Sequence, residues 1–85
     1  MYSEAESLLI ALCLKGDRQA QHTLYKRYSD AMFNVCHRML GNEAEAEDVL
    51  QESFIDVFRR LDSFRAESRL GAWIKRIVIN HCLNV

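Results

Sequence analysis

The 85-residue chain contains no proline and only three glycines. Those residues punctuate hairpins and tight loops, so their scarcity argues against a β-rich fold. Long apolar runs are missing too. The longest, 7–14 and 73–85, are both interrupted, whereas a membrane-spanning helix needs about 20 apolar residues. A basic start leading into an apolar stretch and a small-residue cleavage site is absent, which argues against secretion. Cysteine is sparse and odd in number, with Cys13, Cys36 and Cys82 and no Cys-x-x-Cys spacing. A disulfide framework is therefore not expected, and a reducing, cytoplasmic compartment fits. The neighbours Cys36-His37 and His81-Cys82 make no metal site, because adjacent helical residues point about 100° apart. The cysteines read as packing residues, and neither a metal nor another cofactor is expected.

Catalytic signatures are also lacking. There is no glycine-rich phosphate loop, no nucleophile elbow and no His-Glu-x-x-His. His22, His37 and His81 are scattered, and no catalytic residue is expected among them. The acidic cluster cannot enclose a hard cation, since consecutive helical positions diverge.

What is present is helical periodicity. Hydrophobic residues make up 49% and charged residues 27%, the balance of a folded chain rather than a disordered one. At this length a single domain, 1–85, is expected, with a core that buries roughly 60% of the unfolded surface. Ser3 with Glu6 has capping-box spacing, and Leu8, Leu9, Leu12 and Cys13 form a stripe that stops at Gly16. Asp17 opens a second helix with Leu24, Tyr28, Met32, Val35, Cys36 and Met39 on one face, ended by Gly41. Asn42 with Glu45 repeats the cap signature, and a third helix buries Val49, Leu50, Phe54, Val57, Phe58 and Leu61. The polar segment 62–68 reads as a loop. A fourth helix from about Arg69 places Leu70, Trp73, Ile74, Ile77, Val78 and Val85 in one apolar sector. No stop signal precedes Val85, so this helix reads as cut from a longer chain. The expectation is an all-α fold, a small four-helix bundle.

The net charge of −1 conceals strong polarity. Residues 1–42 sum to +1, residues 43–58 carry six acidic and no basic groups, and residues 59–85 sum to +4. Two partners of different character follow, one for each charged segment. On the third helix Asp48, Gln51, Glu52 and Asp56 recur at three- and four-residue steps, a row suited to a basic helical partner. On the fourth, Arg69, Arg76 and Asn80 fall within about 40° of one another, with Trp73 and Asn84 beside them. This stripe continues from a loop bearing Phe64, Arg65 and Ser68. Arginine engages phosphates, asparagine reads base edges and aromatics stack on unpaired bases. A solvated basic face with Phe64 and Trp73 in the core fits the same pattern. A helical protein-interaction module without DNA binding is the alternative from another class.

Three stretches then resemble a known family. Ala46-Glu47-Asp48-Val49-Leu50-Gln51-Glu52-Ser53-Phe54, Leu61-Asp62-Ser63-Phe64-Arg65 and Ala72-Trp73-Ile74-Lys75-Arg76-Ile77 with Asn80 are similar to region two of bacterial RNA polymerase sigma factors of the extracytoplasmic-function class. Gly16-Asp17 and Leu24-Tyr25-Lys26-Arg27-Tyr28 also match, so the resemblance covers essentially the whole chain. It implies a transcription-initiation module and no enzyme. Asp48, Gln51, Glu52, Asp56 and Arg59 would dock on the β′ clamp helices of RNA polymerase. Phe64, Arg65, Ser68, Arg69, Lys75, Arg76, Asn80 and Asn84 would recognise and melt the promoter −10 element by capturing unpaired non-template bases, with Lys75 on a phosphate. The family also implies an anti-sigma partner, for which Ile79 and Leu83 offer apolar contacts. The −35-binding helix-turn-helix domain of such factors has no counterpart in this sequence, so weak binding is expected of the chain alone. Arg69-Leu70-Gly71 departs from many relatives, which place a small residue before phenylalanine there. Gly71 lowers helix propensity by ~1 kcal/mol relative to alanine.

Overall fold

Four apolar stripes separated by helix-stopping residues become four helices. In the computed structural model, which describes residues 4–85, they are α1 (Glu4–Leu14), α2 (Arg18–Leu40), α3 (Glu43–Arg60) and α4 (Leu70–Leu83). One 3₁₀ turn, Leu61–Ser63, follows α3, and no strand occurs among the described residues. Capping sets the boundaries. Gly16 and Gly41 adopt φ values of 86° and 71°, the left-handed conformation that lets a helix satisfy its last carbonyls without a Cβ clash. Asp17 Oδ1 accepts from the Ala20 N–H at 2.9 Å, and Asn42 Oδ1 accepts from the Glu45 N–H at 2.9 Å. Both expected caps are therefore made. The capping box led by Ser3 lies outside the described residues.

The short turns at 16–17 and 41–42 fold α1 back on α2 and α3 back on α2. Gln21 donates to the Cys13 carbonyl at 3.2 Å, and the Tyr28 hydroxyl donates to Glu6 at 3.2 Å. The Tyr25 ring meets Phe54 edge-on at 4.9 Å. α4 closes the bundle against both α2 and α3. Leu24, Val57, Leu61, Leu70, Ile74 and Val78 are essentially inaccessible to solvent, so every helix from α2 onward contributes to one core. All three cysteines are free and buried, and Cys36 on α2 and Cys82 on α4 lie close enough to influence one another. Gly71 finds its reason here. A Cβ at this position would stand 3.1 Å from Tyr28 Cε1, so the ring packs directly on the α4 backbone.

Three residues leave the faces that spacing assigns them. Leu8 is 61% exposed while Ile10 is buried. The stripe of α1 that meets α2 runs through Leu9, Ile10 and Cys13, rotated from the expected one. Met39 is 42% exposed because it lies one turn beyond Cys36, at the level where α4 ends. Val85 is 69% exposed, since α4 stops at Leu83 and Val85 lies off its wheel. The loop expected over 62–68 is helical only in its first two residues, where the 3₁₀ turn continues α3.

Candidate docking face and nucleic-acid interface

The outward face of α3 presents Asp48, Gln51, Glu52 and Arg59, all exposed. Ile55 lies at its centre and is 60% exposed. An exposed isoleucine in a charged row is a candidate anchor, because desolvated apolar contacts at the centre of a patch carry much of a binding energy. Its signal is legible in the spacing: it falls three or four residues from Gln51, Glu52 and Arg59. Gln51 is not free to swing. Its Nε2 donates to the Tyr25 hydroxyl at 2.9 Å and to Glu47 Oε1 at 3.2 Å. Tyr25 thus enters the site from α2, a role that no spacing within α3 announces.

Asp56 departs from the expected row. Its side chain is only 14% exposed and turns to the α3–α4 seam, where Oδ2 meets His81 Nε2 at 2.9 Å and Oδ1 meets Arg60 Nε at 3.1 Å. The hydrogen bond from His81 holds the Asp56 carboxyl below its ordinary range, against partial desolvation and with help from the nearby Arg60 and Arg59 charges. The reason is angular. Position 56 lies about 80° around the wheel from position 48, toward α4.

The loop after α3 positions the second surface. The Phe64 N–H donates to the Leu61 carbonyl at 3.1 Å, and its half-buried ring packs on Trp73 at 5.2 Å, tilted by 52°. Both aromatics therefore rim the core and are presented only in part. Ala66 takes φ of 59°, a left-handed conformation that costs a non-glycine residue roughly 1–2 kcal/mol. Arg65 and Arg69 are exposed on either side of it, and Ser68 is half-buried. Along α4, Arg76, Asn80 and Asn84 are exposed, and Asn84 Nδ2 donates to the Asn80 carbonyl at 2.7 Å. Lys75 is exposed but lies about 100° from Arg76, off the stripe.

The two surfaces meet. A cleft of about 270 Å³ is lined by Asp56, Arg60, Ile77, Asn80, His81 and Asn84. A second, of about 320 Å³, brings Asp48 and Glu52 beside His81 and Asn84. Spacing does not single out His81, because only the packing of α4 on α3 gives it a partner. Among the described residues no cluster of His, Cys, Asp and Glu could hold a metal. No described helix is long and apolar enough to cross a membrane.

The chain is thus an all-helical unit in which an acidic outward helix is followed by a loop and a basic helix. The fold superposes with a TM-score of 0.83 on an engineered region 2 of sigmaE solved by NMR in complex with GTAAAA. That protein shares 32% identity, and the match covers 98% of this chain and 88% of the other. Residues 24–85 match the family model described as Sigma-70 region 2. The chain belongs to that family, in its extracytoplasmic-function branch. It is 41% identical over 66 residues to the ECF RNA polymerase sigma factor SigW of Bacillus subtilis, covering 78% of this chain and 35% of SigW. It is 35% identical over 79 residues to the ECF RNA polymerase sigma-E factor of Salmonella typhimurium, covering 93% of this chain and 41% of that protein. The RNA polymerase sigma-H factor of Pseudomonas aeruginosa is 33% identical over 81 residues, covering 95% and 42% respectively. The chain thus spans well under half the length of these curated relatives.

Proposed function

We propose that this domain is the part of a transcription initiation factor that joins RNA polymerase to the promoter −10 element. The outward face of α3, with Asp48, Gln51, Glu52, Ile55 and Arg59, docks on the β′ clamp helices. The loop 62–68 and α4 recognise the −10 element and hold unpaired non-template bases, through Phe64, Arg65, Ser68, Arg69, Arg76, Asn80 and Asn84. Lys75 serves as a flanking phosphate contact. The single observation that carries the reading is the likeness to a region 2 bound to a six-nucleotide strand.

No bond is made or broken in this role, so the domain is not an enzyme. Flipping a base costs a few kcal/mol, which stacking at roughly 1–3 kcal/mol per base and arginine–phosphate contacts can offset. The role is carried out on the chromosome, in the cytoplasm. An anti-sigma protein is the further partner we propose, with Leu83, 69% exposed, as an apolar contact on α4. The test is fluorescence anisotropy with single-stranded GTAAAA and a scrambled strand at low salt, with and without polymerase core. Sequence-dependent binding that is weakened by R65A and R69A is expected. Polymerase binding with equal indifference to both strands would leave a docking module without promoter recognition.

A further inference from the structure

Asp56 stands between the docking helix and the promoter-strand helix. Its two contacts differ in kind. The pair with Arg60 is an i,i+4 surface pair whose guanidinium side chain is 58% exposed, and such pairs contribute little. The contact with His81 joins α3 to α4, with side-chain exposures of 14% for Asp56 and 29% for His81. It links two helices, and it is an ion pair when His81 is protonated. His81 is flanked in sequence by Asn80, and Asn84 lies three residues on, with its amide tied back to the Asn80 carbonyl at 2.7 Å. Asn80, His81 and Asn84 line one cleft with Asp56 and Arg60. Whatever fixes His81 on α3 therefore fixes the last turn of the stripe as a unit.

The charged groups facing His81 along the seam are Glu45, Asp48, Glu52 and Asp56, together with Arg59 and Arg60, all from α3. No residue of α1 or α2 lines these clefts. Asp56 Oδ2 lies within hydrogen-bond reach of the His81 ring, at 2.9 Å; an imidazolium makes that bond charge-assisted, whereas a neutral imidazole makes an ordinary one. Charge-assisted hydrogen bonds are roughly twice as strong as neutral ones.

We propose that Asp56 and His81 are positioning residues. Their bond sets how α4 presents Asn80 and Asn84 to the promoter strand, and protonation of His81 tightens it. The inference rests on α4 being the promoter-strand helix. It also removes Asp56 from the polymerase contacts and makes it the residue that ties the two binding surfaces together.

The experiment measures anisotropy of labelled single-stranded GTAAAA against the whole chain from about pH 5.5 to 8.5, at constant ionic strength. Wild type, H81Q and D56N are compared well below their unfolding midpoints. H81Q retains an amide donor but cannot titrate. Side-chain amide resonances of Asn80 and Asn84 are followed by NMR in the same titration. Wild-type affinity is expected to fall about fivefold as pH rises, the difference between a charged and a neutral bond. The slope should vanish in H81Q and D56N, and the two asparagine amides should shift with the midpoint of the His81 ring. A merely structural pair would move the thermal midpoint with pH and leave the affinity of the folded protein flat. A flat wild-type profile, a slope that survives in H81Q, or asparagine amides indifferent to the His81 titration would each overturn the proposal. Absence of GTAAAA binding at every pH would instead refute the promoter-strand reading, and the amide titration would then decide the positioning role by itself.

Discussion

Replacing Tyr25 with phenylalanine isolates what α2 contributes to the proposed docking face. The substitution keeps the ring, whose edge-on packing against Phe54 at 4.9 Å is unchanged. It removes only the hydroxyl that accepts from Gln51 Nε2 at 2.9 Å. Gln51 then retains its 3.2 Å bond to Glu47, an anchor on its own helix. A glutamine side chain loses up to about 2 kcal/mol of rotamer freedom when it is ordered, and a tether present before binding removes part of that cost. The hydrogen bond is solvent-exposed, so folding stability should change by less than about 0.5 kcal/mol. Affinity for polymerase core should fall by about 0.5–1.5 kcal/mol, roughly twofold to tenfold. The assay is a double-mutant cycle, with labelled protein titrated by polymerase core in wild type, Y25F, Q51A and the double variant. In the Q51A background Y25F should be silent, because the side chain it positions is gone. An equal loss in both backgrounds, or none in wild type, would refute the argument that Tyr25 acts through Gln51.

Two further predictions concern the fold. Ile74 is inaccessible to solvent at the centre of α4, so I74A should destabilise by about 2–5 kcal/mol. At roughly 4–8 °C per kcal/mol this lowers Tm by about 8 °C or more. A circular-dichroism melt that shifts by less than about 3 °C would show that the site is not close-packed. Stability should also be pH-dependent at both ends. Asp56 is held below its ordinary value in the fold, chiefly by His81. Its contribution is present above the unfolded carboxyl value near 3.9 and is lost as pH falls through the lower folded value. Burial and the neighbouring Cys82 thiol push Cys36 up to about 12 from 9.0. That contribution is present below pH 9.0 and is lost as pH rises toward the folded value. Urea denaturation of D56N should show a shallower acid arm, and C36A a shallower alkaline one. Unaltered arms in the variants would assign the dependence to other groups.

Much of the fold was legible in the chain because its determinants are local. A capping oxygen reaches an amide three residues away, as Asp17 and Asn42 do, and a left-handed glycine closes a helix with its own turn. The apolar face of α3 could be read at 3.6-residue spacing for the same reason. Errors appeared where burial depends on a neighbour's extent. Leu8, Met39 and Val85 are apolar and correctly spaced, yet α2 covers a rotated stripe of α1, and α4 ends before it can shelter Met39 or carry Val85 inward.

The candidate site divides along the same line. Opposite charge on two successive helices, and the exposure of Asp48, Glu52, Arg59, Arg69 and Arg76, were contained in sequence order. Those properties need only a helix and a core-facing stripe to define what remains outside. Tyr25 beneath Gln51, the Phe64 ring on Trp73, Gly71 under Tyr28 and His81 against Asp56 were not. Each pairs residues from different elements, up to 43 positions apart, as in Tyr28 and Gly71. Such contacts are set by helix packing angles and by the register of one surface on another. Periodicity marked most of the residues that face outward. Only the tertiary structure decided which of those are free to bind and which, like Asp56, are already engaged.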